Sequence, residues 1–403
     1  MRDRVQSSGP RRGRRETEFR RIGLLALLLA LVLVGIPQSL RGDGEWEIAR
    51  PDYEWSFPQD HWARDGYKTE WWYFTGHLAA ESGERYGYQF TFFRVGLLSG
   101  KPEVASAWGA KDLIMGHAAV SILPTTERGQ KSKSGSGAAH RFSEVVYRTV
   151  PMLGGFGAFP DSVIAWSLAP AGTEGKWELT WNGEAFDFTA KDARFAFSLR
   201  TKPIKPMIYQ GLNGYSRKGE GASAASQYYS FTRLATEGTF EVDGRAQQVT
   251  GQSWMDKEFS TDSMASGQAG WDWYSLQLND DRDLMLYVLR DEKGRVDYAR
   301  GTLVEADATV SYLDRDAFEI SVTGDWTSPS GDSYPDEWRI RVAGASLDLI
   351  VRSQLPDQEN RSKLIPTLRY WEGAVEVTNP SGATVGVGFV EMTGYGSATM
   401  PAM

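Results

Sequence analysis

The stretch from Gly251 to Leu278 reads GQSWMDKEFSTDSMASGQAGWDWYSLQL, and the rest of the chain is interpreted around it. It mixes large aromatic side chains with charged ones, namely Trp254, Phe259, Trp271, Trp273 and Tyr274 with Asp256, Lys257, Glu258 and Asp272. Solvent-facing loops rarely concentrate so much aromatic area, and a buried charge needs a partner. The stretch therefore predicts a structural joint with ion pairs at its rim, a polar site, or both.

Length and composition favour two all-β domains. The chain has 403 residues, which exceeds one ordinary domain, and it combines 12% aromatic residues and 43 glycines with no long helical period in its body. This combination is typical of short strands joined by tight turns. We expect an N-terminal segment over residues 1–42, a first β domain over residues 43–250 and a second over residues 251–403.

The sequence lacks the signatures of several common functions. It has no cysteine, which excludes disulfides, thiol catalysis and Cys-ligated zinc. There is no Gly-x-Ser-x-Gly elbow, no His-Glu-x-x-His pair and no phosphate loop, and the four histidines are scattered, so we expect no serine-hydrolase chemistry, no metal and no cofactor. The net charge of −8, with basic clusters only near the N-terminus, argues against a nucleic-acid partner.

The first forty residues have the pattern of an export signal. Several arginines between Arg11 and Arg21 precede an apolar run from Ile22 to Ile36, which is shorter than the ~20 residues of a full membrane span. A cleaved signal peptide is predicted, which places the body in the periplasm or outside the cell. No Ala-x-Ala site follows the run, so an uncleaved anchor that holds the protein in the inner membrane through residues 22–36 is the alternative.

Two Trp-rich hairpins indicate an internal duplication. The first runs from Glu70 to Arg94, and the second from Trp271 to Arg290. Aligning Trp72-Tyr73 with Trp273-Tyr274 brings the two arginines opposite each other, so each domain is predicted to open with a hairpin that closes on an Arg. Chance similarity between amphipathic hairpins is the alternative. The glycine-rich last strand, residues 385–395, is predicted to be strongly curved or closely approached by another segment.

Carboxylates among aromatic side chains are the chemistry that the sequence offers. Glu70, Asp256, Glu258, Asp272 and Glu391 all lie in or beside aromatic runs. Burial against indoles raises the pKa of a carboxyl group, so such a group can stay protonated and act as a general acid. Indole and phenol faces stabilise a cation. These features suit acid-catalysed chemistry on an apolar alkene.

A structural reading of the same residues stays open. On a strand, Trp254, Asp256 and Glu258 share one face while Lys257 points away. In the alternative to catalysis, Asp256 pairs with Lys257 or Arg233 as a salt bridge at the domain joint.

Several long motifs, in order along the chain, resemble the carotenoid 1,2-hydratase-like family, also called the AttH or predicted-secreted-hydrolase family. They span roughly residues 55 to 396 and comprise Glu70–Leu78, Gln227–Arg233, Gly251–Phe259, Gly270–Leu278, Tyr370–Val375 and Glu391–Tyr395. The resemblance implies two tandem lipocalin-like antiparallel β-barrel or sandwich domains. It also implies hydro-lyase chemistry in which an isoprenoid double bond is protonated and water is added.

The resemblance transfers only part of the family's expected site. Asp256 carries over directly, and Tyr287 stands nearest to an expected downstream tyrosine. Lys257 and Phe259 occupy positions where the hydratases are expected to have a His and a Trp. Relatives also include lipid binders and exported partners of ABC-type permeases, so the fold and binding of an apolar ligand transfer better than the reaction type.

The sequence thus predicts an exported protein that acts on or binds a hydrophobic, isoprenoid or lipid-like ligand, with acid-catalysed hydration as its reaction. The alternative is a non-catalytic lipid-binding accessory protein of an ABC-type export system. The predicted catalytic carboxylates are Asp256, Glu258 and Glu70. The predicted ligand-binding residues are Trp254, Trp271, Trp273, Tyr274, Tyr287, Trp72, Tyr229 and Arg233.

Overall fold

The computed structural model describes residues 45–100, 108–124, 140–221, 224–262, 264–365 and 368–396. Within these ranges the chain is built from antiparallel strands that form two curled sheets, which confirms the predicted all-β, lipocalin-like class. No helix of the described part is long and apolar enough to cross a membrane. The predicted signal or anchor, residues 1–42, lies outside the described residues.

In the described residues the first sheet has thirteen strands, and most follow the order β4-β3-β2-β1-β13-β12-β9-β8-β7-β6-β5, with β10 and β11 also pairing with β12. Their bounds are β1 (Thr69–Ala80), β2 (Arg85–Gly96), β3 (Asp112–Leu123), β4 (His140–Arg148), β5 (Gly154–Phe156), β6 (Val163–Leu168), β7 (Lys176–Trp181), β8 (Phe186–Lys191), β9 (Phe195–Pro203), β10 (Ile208–Tyr209), β11 (Tyr215–Arg217), β12 (Ala225–Val242) and β13 (Arg245–Ser260).

The second sheet has ten described strands in the order β17-β16-β15-β14-β23-β22-β20-β19-β18, with β21 beside β22. Their bounds are β14 (Gln268–Leu278), β15 (Asp283–Asp291), β16 (Val296–Val304), β17 (Val310–Asp314), β18 (Glu319–Thr327), β19 (Ser333–Val342), β20 (Leu347–Ser353), β21 (Glu359–Arg361), β22 (Arg369–Thr378) and β23 (Thr384–Met392). Single 3₁₀ turns occur at Gln59–His61, Arg315–Ala317 and Ala343–Ala345.

Side chains alternate between the two faces of each sheet. One face lies on the core of its own sheet, and the other face lies toward the second sheet. In β1, Trp72 and Phe74 lie in the first core, whereas Trp71 and Tyr73 belong to a third apolar cluster between the sheets. In β14, Tyr274 lies in the second core while Trp271 and Trp273 join that third cluster. Successive residues of a strand point to opposite faces, so one aromatic run supplies two layers. We call the region between the sheets the joint.

The two sheets repeat one strand order. The path β4-β3-β2-β1-β13-β12 corresponds strand by strand to β17-β16-β15-β14-β23-β22, which supports the duplication. The registers correct the alignment by one residue. Glu70 pairs with Arg94 and Gly270 with Arg290, so Tyr73 corresponds to Trp273 rather than to Tyr274. Tyr73 and Trp273 accordingly both face the joint.

The change of sheet comes later than the predicted domain boundary. Residue 250 falls inside β13, which pairs with β1 and β12 along its length. We therefore place the change between Ser260 and Gln268. The last strand, β23, is closely approached by β14, as its glycines predict: a Cβ at Gly386 or Gly388 would collide with a backbone carbonyl of that strand.

Candidate functional site

Strand β13 places its side chains in the alternation expected from the sequence. Asp256 and Glu258 face a cavity in the joint, and Trp254 lies in the joint cluster. Lys257 points to the other side, where its Nζ lies 3.7 Å from the centre of the Trp72 ring. The carboxylates and the lysine of the Asp-Lys-Glu run are therefore on opposite sides of the first sheet.

The cavity lies between the two sheets and holds about 80 Å³ of space. Its wall is mainly aromatic and apolar, with three carboxylic side chains and one lysine. The lining residues are Trp71, Tyr73, Phe93, Lys218, Tyr228, Asp256, Glu258, Met264, Trp271, Trp273, Tyr287, Leu289 and Glu391. Both sheets contribute acids, because Asp256 and Glu258 come from β13 and Glu391 from β23.

Asp256 is a buried carboxyl group with neutral hydrogen-bond donors. The Ser230 hydroxyl and the Trp254 indole N–H, the latter at 2.9 Å, both donate to its Oδ1. Burial raises the pKa of Asp256 to about 7, although the hydrogen bonds from Ser230 and Trp254 act in the opposite direction. A carboxyl group with this pKa is present in both protonation states near neutral pH.

Glu258 has a cationic partner in the cavity wall. Lys218 Nζ lies 2.9 Å from its Oε1, and the Ser226 hydroxyl donates a hydrogen bond to the same oxygen. The lysine also lies over the rings of Tyr228 and Tyr287, at 4.9 and 4.4 Å from their centres. The lysine therefore balances the charge of one carboxylate, and no cationic side chain in the described part of the chain contacts Asp256.

Glu391 enters the cavity from the second sheet, opposite the β13 acids. Its neighbours across β14 and β22 are Trp273 and Glu372. Burial and then the adjacent Glu372 raise the pKa of Glu391 well above its ordinary value, and Asp256 adds to the effect. Burial also raises the pKa of Glu372 to about 7. The second sheet thus supplies a pair of carboxyl groups that resist ionisation.

The structure gathers some of the predicted site residues and separates others. Asp256, Glu258, Trp271, Trp273 and Tyr287 line the cavity, and Trp254 lies beside it, with its ring centre 6.2 Å from that of Trp273. The remaining predicted residues lie elsewhere. Trp72 and Tyr229 belong to the first core, Tyr274 packs against Trp338 in the second core, and Arg233 forms an ion pair with Asp283 at 2.7 Å.

Glu70 is part of a buried ion-pair cluster and does not line the cavity. Arg94 and Lys257 both contact its carboxylate, and all three side chains are fully buried. Burial alone raises the pKa of Glu70, but Lys257 and Arg94 outweigh it and lower the pKa below its ordinary value. This carboxylate is an anion held by two buried cations. We therefore do not include Glu70 in the candidate site.

The salt-bridge alternative for Asp256 does not match the observed contacts. Lys257 pairs with Glu70 and Arg233 pairs with Asp283, whereas Asp256 accepts hydrogen bonds from the neutral groups of Ser230 and Trp254. Asp256 is thus a buried acid without an ion pair of its own in the described structure.

Sequence reasoning missed several cavity residues. Lys218, Tyr73 and Tyr228 line the cavity but are not among the site residues that the sequence predicts, and Glu372, which lies next to Glu391 outside the cavity wall, enters the sequence analysis only within the motif Tyr370–Val375. Glu391 is one of the carboxylates near aromatic residues, but the sequence predicts no specific role for it. The internal duplication could have identified Glu391. Asp256 on β13 pairs with Tyr73, and Glu391 on β23 pairs with Trp273, which is the residue equivalent to Tyr73 in the corrected alignment. Glu391 therefore occupies the position in the second sheet that Asp256 occupies in the first.

The buried histidines have separate surroundings. His61 contacts the Tyr229 hydroxyl, His77 the carbonyl of Gly388, and His117 the Tyr370 hydroxyl. Within the described ranges, no group of three or more His, Cys, Asp or Glu side chains is arranged to hold a metal ion.

The AttH-like family model matches residues 48–395, which is most of the chain. The chain belongs to the AttH-like family. A solved AttH-like structure, a putative AttH from Nitrosomonas europaea, is 27% identical, has a TM-score of 0.72, and is matched over 87% of this chain and 100% of that chain. No curated protein matches the chain.

A second solved structure shares the AttH-like fold at lower identity. It is kievitone hydratase from Nectria haematococca, which is 14% identical with a TM-score of 0.57, over 88% of this chain and 95% of that chain. The family membership and the common fold confirm the resemblance that the sequence motifs indicated. The residues of the joint come from the matched part of the chain.

Proposed function

We propose that this AttH-like protein holds the reacting double bond of an isoprenoid or lipid-like alkene in the joint cavity, which is too small for a whole lipid chain, and adds water to that bond. The observation that carries the proposal is the composition of the cavity wall. Two carboxyl groups with raised pKa values, those of Asp256 and Glu391, face a mainly aromatic and apolar space from both sheets. An apolar wall binds the hydrocarbon, and a protonated carboxyl group is the acid that alkene hydration needs.

Carboxyl groups in the cavity can both donate and take up the protons that the reaction requires. A neutral carboxyl group donates its proton to one alkene carbon, the π electrons form the new C–H bond, and the neighbouring carbon becomes a cation. The rings of Trp71, Trp273 and Tyr287 can stabilise that charge through their faces, by about 0.5–2 kcal/mol each. Water then attacks the cation, and a carboxylate takes up the proton that the water releases. The net change is the addition of one water.

Transport or storage of a lipid is the second candidate function. It is favoured by the apolar part of the wall, which includes Phe93, Met264 and Leu289 and would hold a hydrocarbon without any acid. In this case the protein is an accessory of an ABC-type export system. For either function we propose an exported protein in the periplasm or outside the cell, on the basis of the basic and apolar N-terminal sequence.

Incubation with a panel of isoprenoid alkenes tests the proposal. The purified protein is mixed with acyclic terpenoid hydrocarbons that carry trisubstituted double bonds, and products that gain one water are sought by mass spectrometry. Hydration by the wild type and its loss in Asp256→Asn support the enzyme. Retention of the alkene on the protein with no product in any reaction supports the lipid-binding accessory instead.

A further inference from the structure

A second carboxylic side chain, that of Glu372, lies next to Glu391, the acid that enters the cavity from the second sheet. Glu372 on β22 is the cross-strand partner of Glu391 on β23. Directly opposed residues of antiparallel strands share a face and have Cβ atoms about 4.5–5.5 Å apart. Glu391 lines the cavity and is only partly buried, whereas Glu372 is fully buried. Only one member of the pair is therefore open to a ligand.

Glu372 has no cationic side chain in direct contact with its carboxylate in the part of the chain that the structure describes. Among the described residues, neither of its carboxylate oxygens has a hydrogen bond of good geometry. Neutral groups of three neighbouring strands lie close enough to lower its pKa somewhat: Tyr73 on β1, Gln89 on β2 and Tyr370 on β22. Burial still has the largest effect and acts in the opposite direction.

Some of the charged groups around Glu372 and Glu391 favour ionisation of these carboxyl groups, and others disfavour it. Arg141 on β4 favours ionisation of Glu372, but its guanidinium donates hydrogen bonds to Ser121, Gln89 and Asn360. Asp256 and Glu258 on β13 disfavour ionisation of Glu391. His117 on β3 contacts Tyr370, and burial lowers its pKa to about 3, so it is neutral near pH 7.

Two adjacent carboxylates that are withdrawn from water cannot both ionise readily, so such a pair retains a proton at a pH where a lone carboxyl group has lost it. The first sheet differs at the equivalent position. There the neighbour of Asp256 on β12 is Ser230, whose hydroxyl donates a hydrogen bond to the carboxylate. The two halves of one repeated scaffold thus hold their acids in contrasting environments, which is how one site keeps an acid and a base together.

We propose that Glu372 and Glu391 share one proton, that Glu391 delivers it to the bound alkene, and that Asp256 accepts the proton released by the attacking water. The assignment rests on the proposed function. Glu391 is the catalytic acid because it faces the cavity, and Glu372 is a positioning residue that acts through it. When Glu391 has donated the proton, both carboxylates of the pair are negatively charged, and these charges stabilise the adjacent carbocation. The proton that Asp256 takes from the attacking water balances the proton that the pair has lost.

The shared proton can be detected without any substrate. Infrared spectroscopy of protein with ¹³C-labelled glutamate carboxyl groups distinguishes protonated from ionised glutamate. At pH 8 the wild type should show the carbonyl band of one protonated glutamate, and Glu372→Gln and Glu391→Gln should each lose it. The matched control is Glu376→Gln, on the same strand and partly exposed, which should keep the band.

The outcomes separate this inference from the proposed function. A wild type with no protonated glutamate at pH 8 overturns the shared proton, and this measurement needs no variant to fold. Retention of the band in folded Glu372→Gln also overturns it. If a hydration substrate is found, kcat should fall as the pH rises. In Glu372→Gln this fall should occur at a pH at least one unit lower than in the wild type, with little change in KM. An intact band without any hydration activity would contradict the proposed function alone.

Discussion

His77 and Gln277 make the same contact in opposite directions across the joint. His77 Nε2 lies 2.9 Å from the carbonyl oxygen of Gly388, and Gln277 Nε2 lies 3.1 Å from that of Ser253. In the corrected alignment His77 corresponds to Gln277, and Ser253 to Gly388. The two sheets therefore meet about an approximate two-fold relationship, and Asp256 and Glu391 occupy equivalent positions in it.

The raised pKa of Asp256 predicts a pH-dependent stability difference between the wild type and Asp256→Asn. Because the folded pKa of about 7 exceeds the unfolded value of about 3.9, the folded protein binds more protons between these values, and its stability falls as pH rises. The variant lacks this loss. Its stability relative to wild type should rise by up to about 1.4 kcal/mol per pH unit between pH 4 and 7 and level off above pH 7.

Denaturant unfolding of both proteins at several pH values measures the difference. Asn keeps the shape of Asp, so the hydrogen bonds from Ser230 and Trp254 can persist. A variant that is less stable by about 1–3 kcal/mol at every pH would instead indicate a structural carboxylate whose hydrogen bonds are needed for folding.

Glu70→Gln tests whether this carboxylate is structural. The change leaves Arg94 and Lys257 buried without their shared anion, and breaking a buried ion pair costs about 3–5 kcal/mol. We expect a loss of stability of that order in denaturant unfolding. The control is Glu178→Gln, which removes an exposed pair with Lys176 and should cost at most about 1 kcal/mol. A stable Glu70→Gln protein that has lost hydration activity would return Glu70 to the catalytic set.

Trp254→Ala tests the joint as a shared structural unit. Trp254 is buried, donates to Asp256 and packs against Trp273 of the other sheet, so its truncation should cost about 3–5 kcal/mol. Hydrogen exchange should accelerate in β14 and β23 as well as in β13. The control is Trp177→Ala, in the core of the first sheet, which should leave exchange in β14 and β23 nearly unchanged. Unaltered second-sheet exchange in Trp254→Ala would contradict a shared joint.

The fold class followed from the sequence because strand alternation, turn residues and family motifs are local patterns. The ion pair of Glu70 could also have been found. A turn at Glu81–Glu84 between β1 and β2 brings Glu70 opposite Arg94, and that register is the observed one. The aromatic residues around Glu70 instead favoured a catalytic site, whereas the structure has a cluster of charged side chains there.

The cavity itself depends on contacts that no local pattern encodes. Lys218 reaches Glu258 from a segment before β12, and Glu372 becomes a neighbour of Glu391 only when β22 and β23 pair. The one-residue error in the repeat alignment had a larger effect than its size suggests. Shifting a strand by one residue exchanges its two faces, and the neighbours Trp273 and Tyr274, both predicted to bind the ligand, point to the joint and to the second core, respectively.

The most direct test of alkene hydration in the joint is isotope incorporation by the wild type and by Glu391→Gln. In deuterated water enriched in ¹⁸O, an isoprenoid alkene should give a product with one deuterium on carbon and one ¹⁸O in a new hydroxyl group, and Glu391→Gln should form it at least about a hundredfold more slowly, within the range that general-acid catalysis contributes. A hydrated product without carbon-bound deuterium, or undiminished turnover by Glu391→Gln, would contradict protonation by the cavity acids.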